Sequence, residues 1–263
     1  MLELHLRTYG SPDRPCVLLL HGLFGSSSNW GAVARQLEPH YRVLVPDLRN
    51  HGQSPHHDDC GYPAMVDDVL RLLDAHDIGA ATLVGHSMGG KVAMHLALNH
   101  PQRVSRLAVV DMSPVRYTHN FDAVLGGFGA VDLETIRSRA DADRQMSPSI
   151  SGGGVRAFLL QNLVKDAEGW RWRLNLPALA AAQAQITGFP DQRSDATFDG
   201  GAHFIHGVLS DYVTPAYRPA IRRFFPHAKL CPVDGAGHWV YADQPQGFMV
   251  CLQAMLTSSE AGH

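Results

Sequence analysis

The stretch Thr82-Leu83-Val84-Gly85-His86-Ser87-Met88-Gly89-Gly90-Lys91-Val92-Ala93 decides the fold. It opens as a short apolar run, turns through Gly-His-Ser-Met-Gly, and continues as a helical pattern rich in Ala, Val, Met and Leu. G-x-S-x-G is informative in that strand–turn–helix setting; outside it, Gly and Ser merely mark tight turns. A serine at such a turn sits on strained backbone with its hydroxyl facing away from the sheet. Gly85 and Gly89 are needed there because a Cβ two residues to either side would crowd the turn. The helix that follows aims its first N–H groups at the hydroxyl and favours negative charge beside it. Ser87 is therefore the candidate nucleophile.

Outward from this stretch, strand and helix patterns alternate. Leu2 to Tyr9 has period two and reads as an edge strand, while Cys16 to Leu20, Tyr41 to Val45 and Val104 to Val110 are apolar runs of the kind buried on both faces of a parallel sheet. Between them lie a helix around Trp30 to Leu37, with the last members of Ser26-Ser27-Ser28 as its cap, and a helix from Tyr62 to Ala75 with Pro63 in its first turn. After Asp111-Met112-Ser113-Pro114 the alternation stops. From about Val115 to Thr197 the chain shows helical stretches at Leu133 to Arg139, Val155 to Val164 and Leu176 to Ile186, broken by glycine runs, and no comparable strand. It resumes with strands at Ala202 to Val208 and Lys229 to Val233 and helices at Pro215 to Phe225 and Gln246 to Leu256, ahead of a tail, Ser258 to His263, expected to fray.

The expected architecture is an α/β fold with a mostly parallel sheet flanked by helices. A mainly helical cap (residues 115–197) is inserted after the sixth strand of a core formed by residues 1–114 and 198–263. A separate helical domain is the alternative, disfavoured because the sheet pattern resumes after it. At 263 residues with 45% hydrophobic content, the chain can fill one large core, and a formal net charge of −3 gives no footprint for nucleic acid or an anionic membrane. The N-terminal stretch lacks the apolar run of a signal peptide, no segment is long enough to span a bilayer, and the four cysteines (Cys16, Cys60, Cys231, Cys251) show no C-x-x-C spacing. Free, mostly buried thiols and a cytoplasmic setting are expected.

Asp234-Gly235-Ala236-Gly237-His238-Trp239 follows the last strand and carries a histidine on a glycine-rich loop. Loops at the C-terminal ends of parallel strands gather on one edge, so His238 can face Ser87, and Ser…Asp…His is the chain order expected for this turn. Any one of sixteen histidines is ordinarily a surface or packed residue, and His238 is distinguished by position. The turn after His21-Gly22 is expected to offer the Leu23 backbone N–H beside that of Met88 as an oxyanion hole. His56-His57-Asp58-Asp59 is a contiguous run without helical ligand spacing and reads as a solvated loop rather than a metal site.

Taken together, His21-Gly22-Leu23-Phe24-Gly25, Asp47-Leu48-Arg49-Asn50-His51-Gly52, Gly85-His86-Ser87-Met88-Gly89-Gly90-Lys91 and Gly237-His238-Trp239-Val240 resemble an α/β-hydrolase of the bacterial YbfF esterase type, a group that includes the mitochondrial abhydrolase-domain relatives. The likeness extends into the cap at Phe158-Leu159-Leu160-Gln161-Asn162-Leu163 and Trp170-Arg171-Trp172-Arg173-Leu174-Asn175. It implies a carboxylesterase acting on short acyl esters or thioesters, a small-molecule substrate, with no cofactor and no metal. Phe158, Leu159, Leu163, Trp170 and Trp172 are candidate apolar walls of the substrate pocket, and each also fits a role in the cap's own core.

One position departs from the common pattern. Many α/β-hydrolases carry G-x-x-D after the strand before the final β–α unit, and Gly207-Val208-Leu209-Ser210 places serine there. Both Asp111 and Asp211 satisfy the order Ser, Asp, His. Asp111 directly follows an apolar strand, and its Asp-Met-Ser-Pro-Val run resembles the YbfF type; Asp211 lies one residue beyond the usual acid position. Asp111 is taken as the acid. A perhydrolase, a carbon–carbon bond hydrolase or a non-catalytic ligand-binding module would share much of this pattern, and the oligomeric state stays open.

Overall fold

The computed structural model describes residues 1–257. The frayed tail expected at Ser258 to His263 lies outside the described residues. Seven strands form one sheet in the order β1-β3-β2-β4-β5-β8-β9: β1 (Leu6–Tyr9), β2 (Cys16–Leu20), β3 (Arg42–Pro46), β4 (Ala81–His86), β5 (Val104–Val110), β8 (Ala202–Gly207) and β9 (Lys229–Val233). Only β1 runs antiparallel, pairing Leu6 with Pro46 of β3. The central strands are apolar throughout because both faces are covered. Val17, Leu19, Val84, Ala108 and Ile205 meet α1 (Gly31–Leu37) and α11 (Pro245–Thr257). Leu18, Leu20, Leu83, Leu107 and Phe204 meet α2 (Tyr62–Ala75), α3 (Met88–Asn99) and α9 (Arg218–Phe224). Leu18, Leu19 and Leu20 are fully buried, each contributing roughly 1.5–3 kcal/mol of transfer free energy.

Five strands precede the inserted segment, not six. The N-terminal strand is also shorter than its alternation predicts. Leu2 N–H donates to Asp68 Oδ1 (2.5 Å) and His5 N–H to Ser54 Oγ (2.8 Å), so side chains satisfy the backbone before the ladder begins. The first member of the serine run, Ser26, rather than the last, caps the turn before α1, in a capping box with Asn29.

The insert contributes α4 (Asp122–Gly129), α5 (Arg139–Met146), α6 (Gly153–Leu159), α7 (Leu176–Ala181) and α8 (Gln183–Thr187), and no strand to the large sheet. It is not wholly helical. Leu163–Asp166 (β6) and Gly169–Trp172 (β7) form an antiparallel hairpin. Its turn is set by Asp166 Oδ1 accepting the Glu168 N–H and by Gly169 at φ 124°. No helix forms at Leu133–Ser138. Asp132 there accepts the Glu134 N–H, and the helix starts only after the Ser138–Asp141 capping box. The helix expected over Leu176 to Ile186 breaks at Ala182 into α7 and α8.

Cys231 in β9 and Cys251 in α11 form a disulfide with Cα atoms 6.2 Å apart, which corrects the expectation of free thiols at these two positions. The final helix packs back across the edge strand and brings residues 20 apart in sequence within bonding range. Cys16 and Cys60 are free. No helix among the described residues is long and apolar enough to cross a membrane.

Candidate active site

Sheet register brings the site together. His86 pairs with Val110, and Val110 with Ile205, so Ser87 and Asp111 leave adjacent strands at the same level. The Ser87 N–H continues the ladder to Val110 O (3.1 Å), and the Asp111 N–H to Ile205 O (2.8 Å). Both residues hold positive φ, 53° at Ser87 and 49° at Asp111, a conformation that costs energy for a side-chain-bearing residue and is kept only where the surroundings fix it. The two flanking glycines are sterically obligatory. A Cβ on Gly85 would lie 2.2 Å from Gly89 O, and one on Gly89 would lie 2.5 Å from Leu20 O. Met88, the first residue of α3, leaves its N–H as one of the orphan donors at a helix start.

His238 stands on the loop after β9, and its Nδ1–H donates to Asp111 Oδ2 at 2.7 Å, with the carboxylate fully buried. Nε2 is thereby left as the acceptor face of the ring. Asp111 also accepts the Gly207 N–H on Oδ1 (3.2 Å) and the Ser210 hydroxyl on Oδ2. This explains the departure seen in the sequence. The serine in the common acid position donates a hydrogen bond to a carboxylate placed one strand away, while Asp211 is exposed. The Tyr212 ring stacks on His238 (centroids 4.1 Å, 22° between planes), and His86 Nε2–H donates to the His238 carbonyl (2.9 Å). Nothing in the sequence pointed to Tyr212.

The turn after β2 approaches Ser87 closely, since a Cβ on Gly22 would come within 3.1 Å of Ser87 Cβ. Within it, Phe24 N–H donates to His51 Nε2 (3.2 Å) and Gly25 N–H to Gly22 O (3.0 Å), so the Leu23 N–H has no acceptor among the described residues. Two buried histidines build this turn. His21 donates from Nδ1 to Gly22 O and accepts the Leu48 N–H on Nε2; His51 donates from Nδ1 to Arg49 O. These roles fix both rings as neutral tautomers. Burial pushes both below the ordinary histidine range, His51 to about 3, with His21 nearby adding to its shift.

A stability consequence follows with a definite sign. Because the folded pKa lies below the unfolded one, the unfolded chain binds more protons between the two values. The stabilisation is complete above about pH 6.5 and is lost as pH falls toward 3. His86, His95, His203 and His206 are lowered by burial in the same direction. The urea midpoint is expected to fall steadily from pH 7 to pH 4.5; a flat midpoint over that range would contradict the buried neutral rings.

The cavity beside Ser87 has a volume of about 20 Å³. Its walls include Leu23, Met88, Met112, Tyr117, Phe121 and Tyr212, so the insert closes over the serine. None of the five proposed cap walls borders this cavity. Leu159 and Leu163 are buried in the core, Trp172 packs edge-on against Phe128 (4.8 Å), and Trp170 lies beneath Lys165. The Phe158 ring lies 5.5 Å from that of Trp239, beside the catalytic-loop histidine in sequence. Aromatic residues in an inserted segment fill its own core first, and spacing alone does not separate the two roles. His56 to Asp59 form an exposed loop in which His56 Nε2–H donates to Arg173 O (3.0 Å). Lys91, within the decisive stretch, also reaches the cavity and is almost fully buried. A lysine within an apolar helical pattern was the signal for it.

The sheet order, the serine turn and the loop-borne histidine define an α/β hydrolase. The family model described as alpha/beta hydrolase fold matches residues 15–245, and the chain belongs to that family. Among its relatives, the sn-1-specific diacylglycerol lipase ABHD11 of Mus musculus is 42% identical over 255 residues, covering 94% of this chain and 82% of the relative. Esterase YbfF of Escherichia coli K12 is 36% identical over 241 residues, covering 91% of this chain and 92% of the relative. A solved structure titled marine microorganism esterase superposes with a TM-score of 0.93 at 32% identity, covering 97% of this chain and 100% of that one.

Proposed function

We propose that this protein is a serine carboxylesterase that cleaves short acyl esters or thioesters through an acyl-enzyme on Ser87. The observation that carries the reading is the His238–Asp111 hydrogen bond of 2.7 Å at the same sheet edge as Ser87. In this mechanism His238 Nε2 takes the Ser87 proton as the hydroxyl attacks the carbonyl. The backbone N–H groups of Leu23 and Met88 hold the oxyanion, and His238 then protonates the departing alcohol or thiol. Water, deprotonated by the same imidazole, releases the acid. Asp111 fixes the tautomer and stabilises the imidazolium without itself accepting a proton. Residues 115–197 act as the cap. The esterase and lipase names of the relatives support the hydrolase class.

Short chains are proposed because the cavity beside Ser87 is nearly closed. On a series of p-nitrophenyl esters, kcat/KM is expected to peak at acyl chains of about two to six carbons, each excess methylene being rejected sterically. A maximum at about twelve carbons or more would overturn the short-chain preference. Labelling of Ser87 by a fluorophosphonate tests the nucleophile and separates this reading from a non-catalytic binding module. A cytoplasmic setting belongs to the same proposal. Recovery of Cys231 and Cys251 from cells as a disulfide would argue for an oxidising compartment instead.

A further inference from the structure

Two spaces of very different size lie on opposite sides of one short segment. The cavity at Ser87, about 20 Å³, holds about one water. A cleft of about 480 Å³ opens between the start of α2 and the end of α8. The inner end of this cleft is made by the buried Tyr62 and Gly188, and its outer end by exposed Asp59, Arg116 and Asp191. Ile186 and Thr187 border the Ser87 cavity, while Gln185 and Gly188 border the cleft. The end of α8 and the residue after it, Ile186-Thr187-Gly188, therefore lie between the two spaces as a partition.

Polar contacts from the core hold that partition. Lys91 Nζ, projecting from the helix that follows Ser87, donates to the carbonyls of Ile186 (3.4 Å), Thr187 (2.8 Å) and Gly188 (2.5 Å). The Tyr62 hydroxyl donates to Ile186 O (2.6 Å). Three acceptors match the three N–H groups of an ammonium, and the Tyr117 ring, 4.8 Å away, adds a cation–π contact. A buried amine is unfavourable unless its hydrogens are all taken, and an apolar side chain would fill the space without that cost. What the amine adds is a directional hold on three consecutive carbonyls, which fixes the partition at one position.

We infer that Ile186–Gly188 is the partition that sets acyl-chain length, that Lys91 and Tyr62 hold it shut, and that the outer cleft is the subsite for the distal methylenes of a longer acyl chain when the partition yields. This rests on the esterase reading. Pro63, Ala64, Ala184 and Phe189 give the cleft apolar surface for such a chain, with the charged residues at its mouth.

The test is the ratio of kcat/KM on p-nitrophenyl decanoate to that on p-nitrophenyl acetate. Lys91→Met is expected to raise the ratio about tenfold or more, the discrimination associated with one or two methylenes. Tyr62→Phe removes one hydrogen bond and keeps the fold should the lysine variant fail to fold; it is expected to raise the ratio about threefold. Adding Ala184→Trp, which fills the cleft, is expected to return the ratio to the wild-type value. An unchanged ratio in the folded variants, with acetate still cleaved, overturns the partition and leaves the esterase reading standing. A raised ratio that Ala184→Trp does not reverse overturns the cleft as the subsite. A wild-type protein inert toward every ester overturns the esterase reading and the partition with it.

Discussion

Ser87→Ala is expected to lower ester turnover by about 10⁴-fold or more while leaving the fold intact. The size follows from the way nucleophile, base and oxyanion donors act as a unit, so that losing the hydroxyl removes the covalent route altogether. The fold survives because the turn is set by backbone and glycine sterics. A Cβ at Gly85 or Gly89 would meet backbone at 2.2 or 2.5 Å, whereas Ser87 is only partly buried and its hydroxyl contributes little to packing. The measurement is kcat on p-nitrophenyl acetate, with thermal unfolding as the control. His238→Ala is expected to be nearly as damaging. His56→Ala, in an exposed loop away from the serine turn, is expected to be nearly silent. Wild-type-like turnover by Ser87→Ala would refute the acyl-enzyme.

Asp111→Asn is expected to collapse kcat at neutral pH by up to about 10⁴-fold, and Asp211→Asn to leave it within a few-fold of wild type. An asparagine at 111 offers either an N–H or a neutral carbonyl to His238 Nδ1. The first forces the wrong tautomer, and the second withdraws the charge that balances the imidazolium. The neighbouring donors sharpen the effect. The Gly207 N–H and the Ser210 hydroxyl both donate to the Asp111 carboxylate, and an amide in its place leaves them without the charged acceptor they meet in the wild type. Asp211 is exposed and one residue beyond the serine that contacts the site. Collapse in Asp211→Asn with near-normal Asp111→Asn would reverse the assignment.

Much of this protein is local in origin and was legible in the chain. The parallel strands declare themselves because burial on both faces demands unbroken apolar runs such as Val-Leu-Leu-Leu at 17–20. The serine turn is equally local, since no residue with a Cβ fits at 85 or 89. Chain order and the shared edge of a parallel sheet pointed to His238 among sixteen histidines, and the structure sets its ring against Asp111. In the insert this logic fails. A four-residue hairpin strand carries no more periodic signal than a helical turn, and it is fixed by an Asp166 side chain and a glycine at positive φ.

Other features belong to the tertiary structure alone, because they join residues far apart in sequence. Ser210 became a partner of Asp111 only once β8 lay beside β5. Tyr212 met the His238 ring 26 positions on, and Cys231 met Cys251 when α11 folded back over β9. Lys91 was visible in the decisive motif from the start. What it binds, three carbonyls nearly a hundred residues later, was set by the docking of the insert against the helix that follows Ser87.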